Sequence, residues 1–76
     1  MGAELKTFEL WDNRLEEGRS TWIREKIKTV KSTSANTALV EDGYRVVYRG
    51  KAVLGTRGSI IDAEVTRYIE AEEVAG

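Results

Sequence analysis

The chain has no cysteine, no histidine and no proline. Without cysteine there is no disulfide framework and no thiolate chemistry for a redox or metal site. Without histidine, the commonest general base near neutral pH and a frequent zinc ligand are missing as well. No apolar run approaches the roughly 20 residues that span a bilayer. The N-terminus lacks the basic start and apolar stretch of a secretory leader. Met1-Gly2 opens like a myristoylation signal, but Lys6 stands where that signal carries Ser or Thr. A cytoplasmic location is the expectation. The carboxylates sit near the two ends, and no spacing matches a calcium loop, a P-loop or a dinucleotide fingerprint. Neither enzymatic activity nor a cofactor is expected.

What the chain does have is polarised charge. Residues 19–57 hold nine Lys or Arg against three Asp or Glu, whereas residues 1–18 carry a balance of −3 and residues 58–76 one of −4. The net charge of −1 therefore conceals a basic middle between two acidic ends. Seventy-six residues make one domain, whose small core buries about 60–65% of the unfolded surface and leaves little room for a deep cavity.

The local signals predict an α+β fold. Asp42-Gly43 lies between Thr37–Glu41 and Tyr44–Tyr48, and Asp-Gly between β-forming runs is a two-residue hairpin signal. Arg49-Gly50 repeats it more weakly before Lys51–Gly55, so that Tyr48 opposes Lys51. A three-stranded antiparallel meander over about 37–55 follows, joined by an N-terminal strand or hairpin. Leu5–Trp11 reads as a strand. Residues 20–31 place Trp22, Ile23, Ile27 and Val30 on one helical face, yet their β-branched content favours a strand after a Glu16-Glu17-Gly18 hairpin loop. Ser32–Asn36 reads as a loop. Beyond Gly55-Thr56-Arg57-Gly58, the spacing of Ile61, Val65, Tyr68, Ile69 and Glu72 predicts a C-terminal helix over about 60–73, with Ser59 at its start. Glu70, Glu72 and Glu73 would then oppose the helix dipole.

Function is read from the cations and their aromatic neighbours. Lys26, Lys28 and Lys31, with Arg24, form one cluster. Arg45, Arg49, Lys51 and Arg57 form another, and Tyr44, Tyr48 and Trp22 interleave with them. Basic residues neutralise phosphates and aromatic faces stack bases, so the set suits nucleic acid, or a complex that handles it. The plainer alternative is a solvated sheet face whose cations are cancelled by the acidic ends. That fits a sequence pI near 5.5, where nucleic-acid-binding domains lie above about 9. A second functional reading is a protein-binding inhibitor or adaptor of the kind encoded by phages and mobile elements, anti-CRISPR proteins among them. It would present Glu70, Glu72 and Glu73 to its partner. A third is a homodimer formed by strand edges beside Leu5–Trp11.

The stretch from Asp42 to about Glu72, with its Gly50-Lys51 turn and Leu54-Gly55 strand end, resembles the arm-binding domains of phage-type tyrosine integrases and the Apetala-type DNA-binding domains of plants. That resemblance implies three antiparallel strands before one helix, with the sheet in the major groove. It would make Arg45, Arg49, Lys51 and Arg57 groove or phosphate contacts. The first strand here lacks the dense basic residues of those families, and residues 1–36 have no counterpart in them.

Overall fold

Phe8 and Leu10 alternate with Glu9 and Trp11, and this period of two makes the first element a strand with one core-facing side. A computed structural model of the chain describes residues 4–16, 18 and 20–75. Its elements run β1 (Lys6–Leu15), β2 (Trp22–Ser32), α1 (Ala35–Glu41), β3 (Lys51–Arg57) and β4 (Glu64–Glu73). The strands form one antiparallel sheet in the order β2-β1-β4-β3. The α+β class and the antiparallel sheet agree with the sequence expectation, as does the N-terminal strand, and residues 20–31 take the strand that their β-branched content favoured. Glu17, in the expected hairpin loop, lies outside the described residues.

The helix and the meander are elsewhere than expected. Ser34 accepts a hydrogen bond from the Thr37 amide at 3.1 Å and caps α1, so Ala35–Glu41, expected as the end of a loop and the first meander strand, is a helix instead. Asp42-Gly43 then ends that helix. Gly43 takes φ +91°, its N–H donates to Val40 O at 3.0 Å, and Tyr44 N–H donates to Leu39 O at 2.9 Å. This is the paired bonding of a Schellman cap, and Tyr44 packs onto the core beyond it. A glycine with positive φ serves a hairpin and a helix stop equally well, which is why the dipeptide misdirects the reading. The second turn does form: Lys51 N–H donates to Tyr48 O at 2.8 Å across Arg49-Gly50, and Tyr48 pairs with Lys51. That bridge is isolated, so residues 44–48 are not a strand.

The C-terminal helix over about 60–73 is also overturned, because Glu64–Glu73 is β4. Val65, Ile69 and Ala71 recur at even spacings, and Val, Thr, Tyr and Ile favour a pleated, half-buried surface. The helical spacing needed Glu72 on its apolar face. Ser59 makes the expected first-turn bond, accepting from Asp62 N–H at 3.2 Å, but it closes a turn rather than starting a helix. Acidic residues at 70, 72 and 73 therefore meet no helix dipole. The three-strand-then-helix order implied by the resemblance over residues 42–72 is not the order found.

The core lies between one side of the sheet and α1: Phe8, Leu10, Ala52, Ile69 and Ala71 beneath Ala38 and Leu39. A seven-residue helix is about 10 Å long, whereas a ten-residue strand runs about 33 Å. The helix thus covers only the end of the sheet near Lys6 and Glu73. Further along that side, apolar residues give way to ions. Arg67 holds Asp12 through two hydrogen bonds of 3.1 and 2.9 Å, and Arg14 lies 3.6 Å from both Asp12 and Glu25. Asp12 raises the Arg67 pKa above its ordinary value by hydrogen bonding and by charge.

Candidate docking face of the sheet

Strand alternation fixes which side chains share the side away from α1. On β1 these are Glu9, Trp11, Asn13 and Leu15. In register beside them stand Lys26, Arg24 and Trp22 on β2 and Glu72, Glu70 and Tyr68 on β4. Lys51 and Val53 of β3 continue the row past Glu70 and Tyr68. Among the described residues no element covers this side.

Two groupings fill it. Trp22 meets Tyr68 edge to face, with ring centroids 5.7 Å apart and planes at 61°, and Lys51 stands 5.8 Å from the Tyr68 centroid. Such an aromatic pair contributes about 0.5–1.5 kcal/mol beyond its area. Trp22 nevertheless stays 45% exposed. Next to it the Arg24 guanidinium lies 4.4 Å over the Trp11 ring while pairing with Glu70 at 3.1 Å and with Glu72. Lys26 pairs with Glu9 at 2.7 Å. The Trp11 indole N–H is buried there without an acceptor among the described residues. The face is thus aromatic at one end and a lattice of alternating charges at the other.

The residues singled out from sequence do not converge on one patch. Lys26, Lys31 and Lys51 lie on the open side, Lys26 tied to Glu9. Lys28 is on the helix side and donates to Asp42 at 2.7 Å. Arg57 pairs with Glu64 at 3.0 Å near the far end of β3. Arg45, Arg49, Tyr44 and Tyr48 belong to the connection between α1 and β3. There Tyr44 packs onto the core, whereas Tyr48 stays exposed. Of the acidic trio, Glu70 and Glu72 are on the open side, held by Arg24, and Glu73 pairs with Lys6 at 3.7 Å. Among the described residues Lys31, Arg45, Arg49 and Lys51 enter no ion pair. β1 pairs with a strand on each side, so the expected dimer edge beside Leu5–Trp11 is not free.

Sequence reasoning missed the grouping of Trp11, Trp22, Arg24 and Tyr68. The usable signal was alternation in three segments at once: Trp11-x-Asn13-x-Leu15, Trp22-x-Arg24-x-Lys26 and Tyr68-x-Glu70-x-Glu72. Reading residues 60–73 as helical hid the third.

Hydrogen bonding to Asp42, and then its charge, raise the Lys28 pKa above its ordinary 10.5. A raised lysine pKa stabilises the fold below the unfolded value and loses that contribution as pH rises through the folded one. The stability difference between the parent and an Asp42→Asn variant is therefore expected to persist at neutral pH. It should shrink above pH 10.5, as read by urea midpoints across that range. Ile60 and Ile61, 100% and 91% exposed, sit at the tip between β3 and β4. Replacing both by Ser is expected to change stability by no more than about 0.5 kcal/mol in a urea melt. A larger loss would mean the tip is packed.

No protein-family model matches the chain, and no curated protein or solved structure does either. Among the described residues no helix is long and apolar enough to cross a membrane.

Proposed function

We propose that the chain is a non-enzymatic, cytoplasmic binding module that docks a partner protein, as an inhibitor or adaptor, through the open side of its sheet. One observation carries this reading: the Trp22–Tyr68 pair and the Arg24–Trp11 pair lie side by side on the side of the sheet that no element among the described residues covers. Trp, Tyr and Arg are the residue types that dominate protein–protein hot spots. The signs on the face are mixed, with Glu9, Glu70 and Glu72 beside Arg24, Lys26 and Lys51. Such a pattern complements another mixed surface, whereas a polyanion would meet three carboxylates. Glu70 and Glu72 thus keep the partner-facing role that the sequence gave them.

A nucleic-acid reading stands second. It is supported by Lys31, Arg45, Arg49 and Lys51, the cations without an ion pair among the described residues. Immobilised protein and a Trp22→Ala/Tyr68→Ala variant, both exposed to nuclease-treated cell lysate, test the first reading. A protein species retained by the parent and lost from the variant is the expected result. A salt titration against mixed-sequence DNA and RNA tests the second, because phosphate contacts make affinity fall steeply with salt. Steep salt-dependent binding with no protein retained would reverse the order of the two.

A further inference from the structure

β2 is an edge strand: it pairs with β1 alone, and its outer row of backbone N–H and C=O groups has no partner among the described residues. It is eleven residues long, and eight of them are exposed. An edge of this length is a template for an added strand. We infer that β2 takes up an extended, acidic segment of the partner protein by strand addition. The inference rests on the protein-docking reading above and names the chemistry of the segment.

Charge selects the occupant. β2 carries Arg24, Lys26, Lys28 and Lys31 against the single Glu25. Two copies of β2 set side by side would oppose these cations directly, and like charges facing each other across strands destabilise the pairing. Lysines along an edge, together with the register shift opposite Leu10 and Trp11, also guard against indiscriminate pairing. A strand bearing Glu or Asp at alternate positions converts that guard into attraction. Lys31 has no ion pair among the described residues, and Arg24 and Lys26 remain more than two-fifths exposed while holding their own carboxylates. Trp22 and Arg24 belong both to this edge and to the open face, so an added strand lies beside the aromatic row.

The probe is a synthetic peptide alternating glutamate with threonine and valine, long enough to span β2, with a lysine counterpart as control. The acidic peptide is expected to bind at least about tenfold more tightly than the lysine one, since each opposite-charge cross-strand pair adds a fraction of a kcal/mol. It is also expected to slow hydrogen exchange at alternate β2 amides, those turned away from β1. Charge reversal at Lys26, Lys28 and Lys31 to Glu should invert the preference. Lys31→Glu alone, which breaks no ion pair, should weaken acidic-peptide binding if the triple variant fails to fold. Absence of binding overturns the inference, as does binding without slowed β2 exchange, which marks simple polyanion attraction. If the Trp22→Ala/Tyr68→Ala variant loses its lysate partner while that partner leaves β2 exchange unchanged, strand addition fails and docking through the open face stands.

Discussion

Leu10→Ala is expected to destabilise the protein by about 2–5 kcal/mol, the range for truncating a buried leucine when its surroundings cannot collapse. Leu10 is fully buried on β1, an interior strand, beside Ala71 in the core that includes Leu39. Collapse is hindered because three of the seven core residues are already alanine, leaving Phe8, Leu39 and Ile69 to fill the space. A chain of 76 residues has a total stability of about 4–11 kcal/mol. The loss is thus a large share of the whole, and the variant should be partly unfolded at ambient temperature if the parent lies at the lower end. Urea denaturation followed by tryptophan fluorescence measures it. A change below about 1 kcal/mol would show that the segment between α1 and β3 refills the site.

The second large effect concerns binding. Trp22→Ala with Tyr68→Ala is expected to weaken the partner complex by at least about a hundredfold, since hot-spot aromatics each account for about 2 kcal/mol or more. Stability should fall far less, by about the 0.5–1.5 kcal/mol of an edge-to-face pair plus modest lost area. This separation arises because Trp22 is half-exposed and Tyr68 half-buried outside the core cluster. Titrating the captured partner against both proteins gives the ratio, and denaturation of the free proteins gives the control. Equal affinity would remove the aromatic row from the interface. A collapse in stability would make the row a second core.

The class of fold was legible because strand alternation in Lys6–Leu15 and β-branched residues in Trp22–Ser32 reflect a local physical cause. The placement of the helix was not. Ser34, Asp42 and Gly43 are a helix cap and stop, but Asp-Gly between β-formers carries the same requirement for positive φ in a hairpin. Tertiary context settled it: Ala38 and Leu39 turn onto Phe8, Leu10 and Ile69, which no pattern within residues 35–43 reveals. In β4, apolar residues recur with both helical and strand spacing, and pairing with β1 and β3 decides in favour of the strand. The grouping of the candidate docking face was not legible in the sequence. Arg24 lies forty-eight positions from Glu72, and Asp12 fifty-five from Arg67. Pairings so distant in sequence depend on strand order, and the cations expected to act together are divided between the sheet's two sides and its ends.

The most direct examination of the docking face is a nuclear magnetic resonance titration of the isotope-labelled chain with the captured partner, following the indole N–H signals of its two tryptophans. The largest shifts are expected at Trp22 and Trp11 and at the backbone of Tyr68 and Arg24. Perturbations confined to α1 and to residues 44–50, with both indole signals unmoved, would place the partner on the opposite side and contradict the proposed interface.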